Sequence, residues 1–237
     1  GDVLLGEDVN TLIAREGPEA PLAGVPDLQD ADMALVNLEG IVAPGADAVD
    51  TGIVGDFYFL GRPESLSAIV AAGIDVVVTA NNHALDFGPE SLAAQNSLLD
   101  QMRMAHPGTG ATPTEACAPA VVAVGDIRVA VLSVDATTPG SASSDGRFGT
   151  CYLSTDPAGW PPAFRTAFAM ARAQADVVLV VPQFRASFAT EPDPDARRTA
   201  RLLIDLGADA VLGMGAHAIQ GIEVSQAKSA FKIGDES

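Results

Sequence analysis

Short runs of valine, isoleucine and leucine alternate along the chain with segments whose apolar residues recur at helical spacing, and this alternation most restricts the fold. It predicts strands at 2–5, 33–38, 75–79, 120–124, 128–134, 176–181 and 210–213. It predicts helices at 63–72, 88–104, 160–175 and 194–206. Several strands are apolar at nearly every position, which is typical of strands covered on both faces. The pattern therefore indicates a layered α/β fold, and we expect one domain over residues 1–237.

The charge of the chain disfavours two classes of partner. Thirty-one acidic residues against 13 basic ones give a formal net charge of −18, so the field of the protein repels phosphate backbones and anionic membranes. We expect no nucleic-acid binding. No apolar run approaches the roughly 20 residues of a membrane span, and no leader precedes the first strand. These features predict a soluble protein without a membrane partner, in the cytoplasm.

The chain contains two cysteines, Cys117 and Cys151. They are too few for a disulfide scaffold and lack the close spacing of a zinc knuckle. From the sequence, they carry no signal about the compartment.

Acids, amides and imidazoles are concentrated in four short segments that lie at or just after predicted strands. The segments are Gly1-Asp2, Asn37-Leu38-Glu39, residues 80–88 and residues 213–217. Loops at the carboxyl ends of strands in an open α/β sheet converge on one crevice, so these segments can share a site. Hard oxygen ligands from several loops are what a divalent cation needs. The sequence therefore predicts a metal site at the strand ends.

Residues 80–88 read Ala-Asn-Asn-His-Ala-Leu-Asp-Phe-Gly, and with Asn37-Leu38-Glu39 and the opening Gly1-Asp2 they carry a specific resemblance. The chain resembles the CapA family, named for poly-γ-glutamate capsule proteins, within the calcineurin-like metallophosphatase superfamily. The resemblance extends over nearly the whole chain. It implies a four-layer α-β-β-α sandwich, the calcineurin-like metallophosphatase fold, with a metal site on the strand-end loops.

The resemblance also implies roles for individual residues. Its oxygen ligands to the metal correspond to Asp2, Glu39 and Asn82. His83 corresponds to the imidazole that acts beside the metal, and Asp86 is placed to orient it. His217 corresponds to the last histidine of the family's Gly-His-His-Pro-His element.

The chain departs from the family pattern at three places. Gln183-Phe184-Arg185 replaces His-Trp-Gly, Met214 and Gly215 replace two histidines, and Gly234-Asp235-Glu236 stands where Gly-Asn-Phe closes the pattern. Too few ligands remain for two-metal hydrolysis. The oxygen-rich set that remains, with Gln183 as a further candidate, suits one divalent ion. Ca²⁺ is favoured, with Mg²⁺ or Mn²⁺ as alternatives, and no organic cofactor is expected.

Two imidazoles, His83 and His217, are left for proton transfer, with unperturbed pKa values near ~6.5. Asp86 is the candidate carboxylate partner of His83, and Asp2 that of His217. Two proton carriers beside a cation can remove and replace a Cα proton. One branch of the wider family, in lasso-peptide biosynthesis, is similar and epimerises the C-terminal residue of a precursor peptide. We therefore expect a metal-assisted epimerase with a peptide substrate.

Two alternatives stay open: a metal-dependent hydrolase of a phosphoester or γ-glutamyl polymer, and a non-catalytic polymer-binding module. Substrate contacts are expected from Asn81 and from Arg185, whose guanidinium can bind a carboxylate in a bidentate manner. The sequence does not indicate an oligomeric state.

Overall fold

The computed structural model describes residues 1–25, 27–45, 57–185 and 187–225, so Gly234-Asp235-Glu236 lies outside the described residues. The strands are β1 Asp2–Val3, β2 Leu35–Leu38, β3 Ile41–Val42, β4 Leu60–Gly61, β5 Val76–Val78, β6 Thr109–Gly110, β7 Ala120–Val124, β8 Ile127–Asp135, β9 Gly149–Thr150, β10 Val177–Gln183 and β11 Ala210–Val211. The α-helices are α1 Glu7–Glu16, α2 Asp27–Asp30, α3 Ser67–Ala71, α4 Gly88–Gln101, α5 Pro113–Ala116, α6 Pro162–Gln174 and α7 Pro194–Leu206. Short 3-10 helices cover Ala20–Leu22, Pro63–Leu66, Pro139–Ser141 and Pro157–Gly159.

The two longer sheets, of three and four strands, are built around parallel strands. The first has the order β1-β2-β5 with both pairings parallel. The second has the order β11-β10-β8-β7, in which β8 is parallel to β10 and β7 returns as an antiparallel hairpin. Gly125, with a φ of 58°, lies in the tight turn of this hairpin, where a residue without a Cβ is favoured.

Side chains on these strands alternate between two apolar clusters, as the two-residue period of a strand requires. On β8, Val129 and Val131 pack with Val76, Val78 and Val181 in a cluster shared by both longer sheets. The alternate side chains of each sheet pack against helices instead. Leu132 of β8 shares a cluster with side chains of α6 and α7, and β2 and β5 share one with α3 and α4. The mixed α/β class predicted from the sequence is therefore confirmed.

Element ends follow local chemistry. The side chain of Asp193 accepts hydrogen bonds from two backbone N–H groups and so caps the start of α7, and Gly207 ends that helix in a left-handed conformation. The predicted bounds of β7 and α7 match the structure. The helix predicted at 88–104 ends earlier, because the chain turns at Arg103 with a φ of 57°.

Cys117 and Cys151 form a disulfide bond, with Cα atoms 4.8 Å apart. This corrects the expectation that the cysteines carry no compartment signal, because disulfides persist mainly in oxidising compartments. The bond connects the end of α5 to the residue after β9. Within the described ranges, no helix combines the length and the apolar character that crossing a bilayer requires.

Candidate metal centre

The strand ends bring together predicted site residues from distant parts of the chain. Asp2 of β1 lies in register with Asn37 of β2, and Glu39 follows β2 directly. Gln183 ends β10, and His217 lies in the segment after β11. Because the parallel strands finish at the same edge of their sheets, residues up to 215 positions apart share one site.

Asp2, Glu39 and His217 form a group in which one ligand atom from each lies within 4.8 Å of the others. The Nε2 atom of His217 lies 3.1 Å from Oε2 of Glu39 and 3.6 Å from Oδ2 of Asp2. Two carboxylates and one imidazole are a donor set that divalent ions accept, with further positions left for water or substrate. The side chains therefore fit one divalent ion, and we refer to these three residues as the donor group.

Glu39 is the buried member of the donor group, with 1% of its surface exposed. Burial raises the pKa of its carboxyl above the ordinary value, and the neighbouring carboxylate of Asp2 raises it further. His217 and His83 lower the pKa of the Glu39 carboxyl. A cation beside Glu39 would offset the negative charge of its buried carboxylate.

Amide side chains connect the donor group to the strands. Nδ2 of Asn37 donates to Oδ1 of Asp2 at 2.8 Å and to Oε1 of Gln183 at 3.1 Å. Nε2 of Gln183 donates to Oε1 of Glu39 at 3.0 Å and to Oδ1 of Asn82 at 2.8 Å. The NH₂ group of Gln183 faces the carboxylate and its oxygen faces Asn37, an orientation that does not favour Gln183 as an oxygen ligand, and its role as a ligand stays a prediction. Asn82 reaches Glu39 only through that NH₂ group.

His83 and Asp86 are brought together as the sequence predicts. Nδ1 of His83 lies 2.9 Å from Oδ2 of Asp86, and the backbone N–H of Phe59 donates to the same oxygen at 3.3 Å. The ring of Phe59 packs edge-on against His83, with centroids 4.8 Å apart. When Nδ1–H donates to Asp86, Nε2 is the basic nitrogen of the ring.

The predicted substrate contacts lie apart from the donor group. Asn81 is fully buried, and its amide donates to Oδ1 of Asn37 and to the carbonyl of Leu38 while accepting from the N–H of His83. These bonds support a positioning role toward His83, and contact of Asn81 with substrate stays a prediction. Arg185 donates to the carbonyl of Thr137 and lines a separate cleft of about 310 Å³, so its contact with substrate stays a prediction.

The sequence interpretation missed two features of the centre. Asn37 was noted only as part of a motif, although the two-residue period of a strand places it on the same face as Glu39. The two-residue period was therefore enough to predict that Asn37 lies on the side of the sheet that carries Glu39. The other is Phe188, whose ring lies 5.6 Å from that of His217. No local pattern indicates this contact, because it joins two loops.

Comparison with known proteins finds relatives whose names refer to capsule and polyglutamine synthesis. It is 24% identical over 226 residues to the capsule biosynthesis protein CapA of Bacillus anthracis, covering 94% of this chain and 54% of that protein. It is 29% identical over 204 residues to a protein of Mycobacterium tuberculosis named "Probable polyglutamine synthesis accessory protein", covering 83% of this chain and 53% of that one. The chain thus spans about half the length of these curated relatives.

A solved structure of a hypothetical protein from Thermus thermophilus is 18% identical and covers 85% of this chain and 63% of that one. Its TM-score of 0.48 is too low to establish a shared fold. The family model described as "Bacterial capsule synthesis protein PGA_cap" matches residues 1–235. The chain therefore belongs to the bacterial capsule synthesis protein (PGA_cap) family.

Proposed function

We propose that this chain is a divalent-metal-dependent enzyme that cleaves an amide bond in a glutamyl polymer. The observation that carries the proposal is the donor group of Asp2, Glu39 and His217 close to the His83–Asp86 pair. Asn82, the residue before His83, accepts a hydrogen bond from Nε2 of Gln183, which also donates to Glu39. An ion site and a proton carrier therefore lie in one centre.

The chain's own residues divide the work. Asp2, Glu39 and His217 would hold the ion, which would supply the charge to polarise a carbonyl and acidify water. His83 moves a proton at Nε2, and Asp86 fixes the orientation of the ring and stabilises its charged form. The choice of a glutamyl polymer is supported by the names of the relatives, which refer to capsule and polyglutamine synthesis.

The position of His217 favours cleavage over Cα epimerisation. Epimerisation through two proton carriers needs a second basic group on the opposite side of the carbon. Nε2 of His217 faces Glu39 and Asp2, so an ion held there would occupy that nitrogen. One proton carrier then remains, which suits cleavage of an amide.

Epimerisation stays the second candidate because each imidazole has a carboxylate within hydrogen-bonding distance. The distances are 2.9 Å for His83 and Asp86 and 3.1 Å for His217 and Glu39. This arrangement matches the two imidazole–carboxylate pairs that the epimerase interpretation needs. His217 also lies 3.6 Å from Asp2, the partner that the sequence predicts.

One experiment separates the two candidates. The protein is incubated in D₂O with γ-glutamyl oligomers and with short peptides, with Ca²⁺, Mg²⁺ or Mn²⁺ or with a chelator. We expect shorter oligomers by mass spectrometry, only with an ion present and without deuterium at Cα. Deuterium at Cα without shorter products would establish epimerisation, and no change under any condition would refute both.

A substitution tests the proton carrier in the same assay. His83→Ala should lower the cleavage rate by about 10²- to 10⁴-fold, the usual contribution of general acid–base catalysis. His106→Gln is the matched control, since His106 pairs with Asp100 outside the centre. Unchanged cleavage by His83→Ala would remove His83 from the mechanism.

We also infer that the two longer sheets and their helices stack as the four-layer sandwich of a calcineurin-like metallophosphatase. The division of side chains between a cluster shared by the sheets and clusters shared with helices supports this arrangement. The disulfide further favours an oxidising compartment over the cytoplasm predicted from the sequence. Thiol labelling of protein taken directly from cells tests this, because cytoplasmic protein would label at both cysteines.

A further inference from the structure

Glu39 presents its two carboxylate oxygens to different partners. Oε2 faces Nε2 of His217 at 3.1 Å, and Oε1 accepts from Nε2 of Gln183 at 3.0 Å. A carboxylate whose oxygens point to two positions can bridge two cations, as in two-metal centres. In this chain one position belongs to the donor group and the other holds an amide nitrogen.

The amide nitrogen of Gln183 lies where a second cation would find ligands. It is between Oε1 of Glu39 and Oδ1 of Asn82, at 3.0 Å and 2.8 Å, which are ordinary N–H···O distances. Both oxygens are of the hard type that divalent ions bind. The NH₂ group satisfies both as a neutral donor.

The orientation of this amide is fixed from both ends. Its oxygen accepts from Nδ2 of Asn37 at 3.1 Å, so a rotated amide would place two donors against each other. Gly215 closes the other side with a φ of 86°, and a Cβ at this position would lie 2.5 Å from Nε2 of Gln183. The backbone approach at Gly215 thus confines the NH₂ group to its position.

Charge balance also favours one ion over two at this centre. Asp2 and Glu39 supply two negative charges, which one divalent ion neutralises, and among the described residues the other side chains that hydrogen-bond to them are amides or imidazole. A second divalent ion would add two uncompensated charges to a buried position. That is unfavourable without a further anionic ligand.

We propose that the NH₂ group of Gln183 takes the place of a second cation, so that the centre holds one ion only. This inference rests on the ion position of the proposed function, and adds that the number of ions is set by a single side chain. Gln183→Glu is then the minimal change that creates a second position. Glu has the same shape as Gln, replaces the NH₂ by an oxygen and supplies the missing charge.

The test counts bound Mn²⁺ by native mass spectrometry and elemental analysis of the full chain. We expect one ion in the wild type, two in Gln183→Glu, and one again in Gln183→Glu combined with Asn82→Ala. Two bound Mn²⁺ ions in Gln183→Glu should also give the exchange-coupled electron paramagnetic resonance spectrum of a pair. Gln101→Glu, an exposed change on α4, is the matched control and should bind one ion.

The outcomes separate this inference from the proposed function. Two ions in the wild type, or one in a folded Gln183→Glu, would overturn the inference and leave the ion site intact. No ion in the wild type would overturn both. Asn82→Ala alone gives a check that does not depend on the folding of Gln183→Glu. It should retain one ion, and loss of that ion would make Asn82 a ligand of the first position and overturn the inference.

Discussion

Glu39 directly follows β2, and Asp135 is the last residue of β8. Both carboxylates are buried, with 1% and 0% of their surfaces exposed. Burial raises the pKa of both, in the case of Asp135 to about 6. Their partners differ. The oxygens of Glu39 contact Gln183 and His217, which are 144 and 178 positions away in the chain.

Asp135 instead has local partners. Its Oδ1 accepts from the backbone N–H and from Oγ1 of Thr137, two positions further on. Its Oδ2 has no hydrogen-bond partner in the part of the chain that the structure describes. The comparison shows two ways to keep a carboxylate buried. The charge of Glu39 is suited to compensation by a cation, while Asp135 anchors a loop and can become neutral by taking up a proton.

The two carboxylates also differ in how their surroundings are held. The backbone N–H of Asp135 donates to the carbonyl of Cys151, which the disulfide connects to Cys117. Since the chain has two cysteines, the surroundings of Glu39 depend on hydrogen bonds and packing alone. The surroundings of Asp135 therefore include a covalent cross-link.

The largest expected effect is on ion binding at Glu39. Glu39→Gln keeps the shape but removes one of the two charges of the donor group, and affinity at oxygen-rich sites depends steeply on charge. We expect Mn²⁺ affinity, measured by isothermal titration calorimetry, to fall by about 1,000-fold or more. Asp135→Asn, the matched change at the other carboxylate, should leave affinity within about twofold. Equal losses in the two variants would contradict the distinction.

The second prediction concerns the disulfide bond between Cys117 and Cys151. Cys117→Ser with Cys151→Ser opens a loop between residues 34 positions apart, and chain entropy predicts a loss of about 4 kcal/mol in unfolding free energy. Urea unfolding at pH 7 measures this loss. Mn²⁺ affinity of the folded variant should be unchanged, because neither cysteine belongs to the donor group. A large drop in affinity would show that the disulfide also supports Glu39.

Local patterns explain how much of this molecule the sequence could predict. Apolar periodicity is a property of neighbouring residues, so the bounds of β7 and α7 could be predicted correctly. His83 and Asp86 are three positions apart in one segment, and their contact is likewise local. The segments that contain Asp2, Glu39 and His217 could be predicted to meet because strand ends converge, although His217 was expected to transfer protons and not to belong to the donor group.

Side-chain orientation across loops could not be predicted in this way. The sequence interpretation paired His217 with Asp2, but the chain bends at His217 with a φ of 50° and places Nε2 closer to Glu39. Which end of the Gln183 amide faces Glu39 is decided by the donor Nδ2 of Asn37, on another strand. The burial of Asp135 likewise depends on packing between distant segments.

Protonation of Asp135 gives the third prediction. Because its pKa is about 6 in the folded chain against 3.8 ordinarily, the folded state binds more protons than the unfolded state between these values. Unfolding free energy should therefore fall by about 2 kcal/mol as pH rises from 4 to 7 on account of this group. Asp135→Asn lacks this loss, so relative to the wild type it should gain about 2 kcal/mol over that range. Parallel pH profiles in urea unfolding would contradict the raised pKa.

The smallest predicted effect concerns Thr137, whose hydroxyl donates to Asp135 outside the donor group. Thr137→Val preserves shape and the backbone N–H but removes the hydroxyl that donates to Oδ1 of Asp135. A hydrogen bond to a charged group contributes about 1.5 kcal/mol or somewhat more, and one to a neutral group about 1 kcal/mol. Unfolding free energy should therefore fall by about 1.5 kcal/mol at pH 8, where Asp135 is ionised, and by less at pH 4. Mn²⁺ affinity should stay within about twofold, since neither Thr137 nor Asp135 belongs to the donor group. A tenfold drop would mean that the two carboxylates act as one unit, and the contrast between a cation-compensated and a proton-compensated carboxylate would fail.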